Sequence, residues 1–391
     1  MPVCLPVWPS AWRSEDRSAC NRRGALPCAT VSWRLPNLRY AVKVLILKPS
    51  SLGDVVQALP VLRLIKLHRP DSQIYWWVDS NLAPLLEGDR DLSGVIQFQR
   101  RKWAGRGNLL RLWKDLRWVR QQSFDWVIDL QCLARSALFA WLARGKLTVG
   151  LDEAREGARA SYDRVARRAS FHTHAVDWYL EVLRLLKVPI HQDFDWIPVR
   201  RQVAEVIRQT WPVNEREWVV LQPGARWLNK RWPAGHFRKL MELVAAQNPK
   251  LGFVVLGGAD DRPLAQEILA QTKVPSLDLT AQLSLAEMVE WIRACKLMVT
   301  NDTGPMHVAA ALRKPVVSLF GPTEPARTGP YGQQGQALRV ILPCVPCMHD
   351  TCSRTIPIEC LVSLSPEVVA RAACARLAAQ KPSAHSIFGL G

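Results

Sequence analysis

Again and again along this chain, a short apolar run ends in a small-residue loop and reopens as a helix with one apolar face. That alternation limits the chain to an α/β fold with parallel sheets, because a parallel strand pair needs a helical crossover. The first copy is Lys43-Val44-Leu45-Ile46-Leu47-Lys48-Pro49-Ser50-Ser51-Leu52-Gly53-Asp54. Its β-branched residues read as a buried strand, which Pro49, two serines and Gly53 interrupt. Asp54 stands at the mouth of a helix over 54–68, with Val55, Val56, Leu59, Leu62, Ile65 and Leu67 apolar. In open α/β sheets, ligands bind at the carboxyl ends of such strands, so Asp54 falls where chemistry is expected. A carboxylate at a helix start also satisfies free amide hydrogens and complements the helix dipole. The residues leave both roles open.

Strands over 73–78, 94–98 and 125–130 extend the pattern, with helices near 81–87 and up to Ala143. Segment 150–175 is polar and loop-rich, and a helix follows to about Leu186. Pro189 and Pro198 enclose a polar stretch that reads as an interdomain linker. A second series then begins, with strands over 217–221, 252–256, 297–300 and 315–319. Its helices cover 234–247, 261–271 and 305–312, and another opens on the capping box Ser284-Leu285-Ala286-Glu287. With 391 residues there is length for two domains. The expectation is two doubly wound parallel sheets facing a cleft, in residues 41–200 and 201–380. Residues 1–40 carry early prolines and scattered arginines without a period. They read as a poorly ordered extension rather than a secretory signal, and 381–391 as a tail.

Net charge is +18, which suits nucleic acid, an anionic membrane surface or phosphorylated substrates. Many of the 17 tryptophans sit beside arginines, a pairing that also suits a membrane interface. Segment 100–120 has a helical period, a cationic face of Arg106, Arg111, Lys114, Arg117 and Arg120, and Trp103, Trp113 and Trp118 among them. It reads as a helix lying on an anionic bilayer or as an ordinary solvated basic face. No apolar stretch is long enough to span a bilayer. Neither a Walker loop nor a G-x-G-x-x-G stretch occurs, which argues against an ordinary NTPase and a dinucleotide dehydrogenase. Ten cysteines in so long a chain do not make a disulfide scaffold, and a reducing cytoplasm is the default compartment.

Two stretches of the second half also follow strands. Asp302-Thr303-Gly304-Pro305 opens a helix, where Thr303 can cap, Gly304 admits a ligand to the backbone and Pro305 suits the first turn. Such a start is either a phosphate site or a plain helix cap. Lys230 lies in the loop after strand 217–221 and can neutralise a diphosphate or simply be solvated. His307, on helix 305–312, reads as structural rather than catalytic. Cys344, Cys347, Cys352 and Cys360 place four thiols in a short Pro-containing segment. They read as a structural tetrathiolate zinc site or as free thiols, since the spacing is not the usual pair of CxxC knuckles.

Taken together, these stretches resemble glycosyltransferase family 9, the ADP-heptose:lipopolysaccharide heptosyltransferases. The matching residues are Ser50-Ser51-Leu52-Gly53-Asp54-Val55, Asp129-Leu130-Gln131 with Arg135-Ser136, Ala154-Arg155-Glu156, Lys230-Arg231-Trp232-Pro233 and Asn301-Asp302-Thr303-Gly304-Pro305-Met306-His307. They run in family order over about residues 42–375. Ala154-Arg155-Glu156, Tyr162 and His174-Ala175-Val176 are most similar to the heptosyltransferase I branch, whereas the Cys-rich segment looks like the heptosyltransferase II branch.

The resemblance implies a GT-B architecture. It also implies inverting transfer of heptose from ADP-L-glycero-D-manno-heptose to the lipopolysaccharide inner core, on Kdo or the first heptose. Asp54 matches the general base, and Lys230, Asp302, Thr303, Gly304, Pro305 and His307 match the donor site. Arg226 stands where the heptosyltransferase I branch has a threonine and is a further donor candidate. Ser51, Gly53, Arg135 and Arg155 are the acceptor candidates. No divalent cofactor is required, since no Asp-x-Asp motif ends a strand. The partners implied are ADP-heptose, a lipid A–Kdo acceptor and the anionic inner face of the inner membrane, with the protein cytoplasmic and peripheral. Two other readings stay open: a family member with another donor or acceptor, and a non-catalytic nucleotide-sugar or nucleic-acid binding protein. RNP-like aromatics and other nucleic-acid modules are absent, which disfavours nucleic acid.

Overall fold

The computed structural model describes residues 41–99 and 117–380, all within one compact unit. Among the described residues, twelve strands form two six-stranded sheets with every pairing parallel. The first holds β1 (Lys43–Leu47), β2 (Gln73–Asp79), β3 (Gly94–Phe98), β4 (Trp126–Asp129), β5 (Leu147–Leu151) and β6 (Arg164–Ala166), ordered β3-β2-β1-β4-β5-β6. The second holds β7 (Glu217–Gln222), β8 (Leu251–Val255), β9 (Ser276–Asp278), β10 (Leu297–Asn301), β11 (Val316–Phe320) and β12 (Leu338–Arg339), ordered β12-β11-β10-β7-β8-β9. In each sheet the chain starts in the middle, runs to one edge, then resumes on the other side of its first strand. The reversals fall between β1 and β4 and between β7 and β10, where helices diverge and leave a crevice.

The helices are α1 (Leu52–His68), α2 (Ala134–Ala143), α3 (Ala175–Leu185), α4 (Arg201–Thr210), α5 (Ala234–Gln247), α6 (Arg262–Leu269), α7 (Leu285–Ala294), α8 (Gly304–Ala311) and α9 (Pro366–Ala378), with shorter turns between them. Apart from Lys43 at the start of β1, the central strands are buried along their whole length, as helix-covered parallel sheets require. On one face of the first sheet Trp77 stacks on Phe139 of α2, ring centroids 4.7 Å apart. On the second sheet, Trp232 and Phe237 meet edge to face inside a cluster that reaches Val369 and Ala373 of α9.

The α/β expectation of two parallel sheets holds, and most expected elements lie within two residues of their observed limits. The differences have physical causes. The stretch read as polar loop, 150–175, contains the end of β5 and all of β6. Gly150 breaks the apolar run of β5 because the Tyr162 ring occupies its Cβ position, 2.2 Å from an ideal Cβ. β6, β9 and β12 are two to three residues long and lie at or next to sheet edges, too short and too exposed to show a pattern. Helix α4 buries Ile207 alone and packs on α7. The helix expected over 81–87 is a single 3-10 turn, Ala83–Leu85. Residues 1–40, the tail 381–391 and most of the basic segment 100–120 lie outside the described residues. Residues 117–121, which are described, are helical.

Candidate active site

α1 begins at Leu52 rather than Asp54, so Asp54 occupies the third helical position. Its Oδ2 accepts both the Ser51 N–H (2.9 Å) and the Ser51 hydroxyl (2.8 Å). The capping reading is therefore fulfilled, by the oxygen that points back along the helix. The other oxygen, Oδ1, is left for other work and has the Tyr179 hydroxyl 3.4 Å away. Burial opposes ionisation of this half-buried carboxyl, but Lys48 and the two Ser51 bonds outweigh it. The group is held below the ordinary carboxylate range.

Across the cleft, α8 starts directly against α1. A Cβ on Gly53 would fall 2.4 Å from His307 Cδ2, and a Cβ on Gly304 would fall 3.0 Å from the Leu52 side chain. Each helix thus offers a glycine to a side chain of the other, and the two N-termini touch. Gln57 and His307 Nδ1 lie 3.2 Å apart, and the amide N–H donates to the ring nitrogen. Burial pushes the His307 imidazole down, against the fields of Asp302 and Asp54, so it is neutral. Farther along the same face His174 Nε2 donates to the Gly329 carbonyl, the Tyr331 hydroxyl donates to Asp177, and Arg327 pairs with Glu153.

The loop after β7 supplies the cation. Lys230 Nζ pairs with Asp302 at 2.6 Å and lies 4.4 Å from the Trp227 ring centroid. Thr323 donates its hydroxyl to the same Asp302 oxygen. Buried Asn301 fixes the loop to the strand end: its amide donates to the Pro223 carbonyl (2.6 Å) and its oxygen accepts the Trp232 N–H (3.2 Å). Trp232, fully buried, donates its indole N–H to the Leu364 carbonyl. The conspicuous Lys-Arg-Trp-Pro run is therefore one ammonium held up by a tryptophan anchor. Thr303 takes the N-cap position of α8 as expected, but its hydroxyl makes no cap bond. Arg226 is exposed on the same loop.

Arg135 and Arg155 lie on the rim of the first sheet. Arg135 is the second residue of α2, its guanidinium 5.6 Å from the Phe98 ring, and both arginines are exposed. The Arg155 N–H donates to the Cys132 carbonyl, and Glu156 accepts the Ala134 N–H, which closes the loop after β5 onto the start of α2. Buried Asp129 gathers the N–H groups of Gln131 and Cys132 and the Tyr162 hydroxyl, and burial raises its pKa. It organises this rim as a hydrogen-bond hub.

Gly53 thus meets His307 and Leu52 meets Gly304, with Ser51 and Asp54 on the same turn of α1, and His307 lies in the fields of Asp54, Asp302 and Lys230. Arg135 and Arg155 form a separate group on the first sheet's rim. Cys344, Cys347, Cys352 and Cys360 line one small cavity beside Asn229 and His349. All four are free thiols, and burial together with the neighbouring thiols pushes Cys360 up to about 11. Among the described residues no group of three or more His, Cys, Asp or Glu side chains is placed to hold a metal ion. The tetrathiolate zinc expectation therefore finds no preformed ligand set.

Sequence reading passed over Lys48, Gln57, Tyr179 and Thr323. Lys48 alone left a signal, a charge at the end of an otherwise apolar strand. The others are brought in by packing.

Residues 109–356 match the family model described as glycosyltransferase family 9 (heptosyltransferase). A relative from Pseudomonas aeruginosa, lipopolysaccharide heptosyltransferase 1, is 32% identical over 80% of this chain and 88% of its own length. Lipooligosaccharide heptosyltransferase 2 of Haemophilus influenzae is 27% identical over 77% of this chain and 89% of its own. The solved E. coli heptosyltransferase WaaC with ADP-2-deoxy-2-fluoro heptose superposes with a TM-score of 0.67 at 25% identity, covering 84% of this chain and 98% of that one. Two parallel sheets in GT-B arrangement, motifs gathered at the two reversal points and this set of relatives lead to one conclusion: the chain belongs to glycosyltransferase family 9, and it is a glycosyltransferase.

Proposed function

We propose that the protein transfers heptose from ADP-heptose to the inner core of lipopolysaccharide, with inversion at the anomeric carbon. The observation that carries this reading is the apposition of α1 and α8. It sets the outward oxygen of Asp54 toward the same cleft as the start of α8 and the Lys230 ammonium. The relatives, heptosyltransferases of lipopolysaccharide and lipooligosaccharide, support heptose as the sugar, and the ADP-2-deoxy-2-fluoro heptose in the WaaC structure supports its activation by ADP.

The acceptor hydroxyl oxygen forms its bond to the anomeric carbon as the bond from that carbon to the diphosphate oxygen breaks. Asp54 Oδ1 takes the hydroxyl proton. The electron pair leaves with ADP, whose developing charge meets Lys230 and the amide hydrogens at Thr303-Gly304. In this proposal those groups supply the positive potential, and no divalent ion is called on. Neutral His307 fills the seam between the helices and keeps water from the sugar. Arg135 and Arg155 face anionic groups of a lipid A–Kdo acceptor. No helix of the described residues is long and apolar enough to cross a membrane. We place the protein in the cytoplasm, peripheral on the anionic inner face of the inner membrane. Its net charge of +18 supports this, as do exposed Leu138 and Trp141, one turn apart and flanked by Arg135 and Arg144.

The test mixes purified protein with ADP-heptose and, separately, with other nucleotide sugars. Lipid A–Kdo acceptors with and without a first heptose are supplied, and ADP release is read. Release with ADP-heptose supports the proposal; release with another nucleotide sugar only rejects the donor. Asp54→Asn should lose at least about 100-fold in turnover and still bind ADP-heptose. Turnover at the wild-type level would remove Asp54 as the base.

A further inference from the structure

Lys48 is the one charged side chain at the end of β1, and it is nearly fully buried. Its backbone is pinned on both sides: its N–H donates to the Trp77 carbonyl, and its carbonyl accepts the Trp76 indole N–H. Its Nζ donates to the Leu130 carbonyl at 2.8 Å and lies 5.0 Å from the Tyr179 ring centroid. No carboxylate among the described residues lies within ion-pair distance of it. A buried ammonium without a contact counter-ion is expensive, and an apolar residue would serve β1 better. Its nearest compensation beyond the carbonyl and the ring is the field of Asp54. Tyr179, between them, bonds Asp54 Oδ1.

We propose that Lys48, with Tyr179, is a positioning residue that keeps Asp54 ionised and its Oδ1 aimed into the cleft. This rests on the reading of Asp54 as the base. The geometry divides the work between the two carboxylate oxygens. Ser51 holds Oδ2 from within the helix, whereas the Lys48–Tyr179 pair addresses Oδ1 from β1 and α3. The other groups facing Asp54 are accounted for. His307 comes from α8 and is neutral, and the next charges behind it, Asp302 and Lys230, are paired with each other. Lys48 is therefore the near positive charge whose removal Asp54 feels. Burial raises the Tyr179 hydroxyl to about 12, so it stays protonated and available as a donor at neutral pH.

The experiment is the pH profile of kcat/KM from pH 4 to 9 for the full chain, wild type, Lys48→Met and Lys48→Arg. Loss of a neighbouring positive charge should move the acidic limb of Lys48→Met upward by about 1 to 2 pH units. At pH 7, where the carboxylate stays ionised in every variant, kcat should fall about ten-fold from the lost aim of Oδ1, while the KM for ADP-heptose stays within about two-fold, and Lys48→Arg should keep the wild-type limb. If Lys48→Met does not fold, Lys48→Gln can still donate to the Leu130 carbonyl and removes the same charge. An acidic limb that coincides with wild type in either neutral variant overturns the proposal. The base reading fails separately, through an active Asp54→Asn. An inactive Asp54→Asn with an unmoved limb in the neutral variants sinks the Lys48 role alone.

Discussion

Gly53→Ala tests the seam between the two halves. Gly53 lies in the first turn of α1, where alanine by itself stabilises by about 0.4–1 kcal/mol through the unfolded chain. The neighbour decides otherwise. The new methyl carbon would stand 2.4 Å from His307 Cδ2, and ordinary contact begins at 3.4 Å, so the ring or the helix must retreat by 1.0 Å. The ring is buried and tied to Gln57, so part of the displacement passes to α1 and carries Asp54 with it. Overpacking of this kind costs about 1–3 kcal/mol, more than the alanine gains. A misplacement of about 1 Å between base and donor costs on the order of 100-fold in rate. The assay is a double-mutant cycle on kcat/KM with ADP-heptose, with urea unfolding in parallel. Gly53→Ala should lose about 100-fold in the wild-type background and less than about five-fold when His307 is already alanine. Equal losses in both backgrounds, or no loss in either, would refute the steric argument.

Two further outcomes follow from named groups. Lys230→Ala should weaken ADP binding by about 10- to 100-fold, the worth of a charged hydrogen bond, as measured by calorimetry; unchanged binding removes Lys230 from the donor site. His174 is neutral in the fold, its pKa pushed down from 6.5 to about 4 by burial. The unfolded chain therefore binds the extra proton, and stability is complete above pH 6.5 and lost as pH falls toward 4. Wild type should lose about 2 kcal/mol from this group between pH 7 and 5, and His174→Gln should lack that component in denaturant unfolding at the two pH values. Equal pH dependence of both proteins would contradict it.

How much of this was legible in the chain depends on where each signal lives. The central strands β1, β4, β7 and β10 are helix-covered on both faces, so each prints a continuous apolar run. The stretches that follow β1, β7 and β10 carry Asp54, Lys230 and Asp302. Those runs and loops gave the fold class and placed the candidate groups at strand ends. The edge strands β6, β9 and β12 are short and partly wet, so nothing in their composition separates them from loop. The four thiols show the opposite limit: their spacing is visible in the chain, but a ligand set needs sulfur positions, which spacing does not contain.

By itself the order of residues determined a parallel α/β fold, because buried runs alternating with amphipathic helices have few other ways to hide. It determined as well which acidic and basic groups stand at strand ends, because Pro, Ser and Gly mark those ends locally. Only the tertiary structure decided that one oxygen of Asp54 is spent on Ser51 while the other faces Tyr179. It alone brought Lys48 against Tyr179, whose hydroxyl reaches that carboxylate, and set Gly53 against His307 across 254 positions of chain. Such pairings arise where the loops at two sheet reversals converge, and a contact between distant segments leaves no period in either of them.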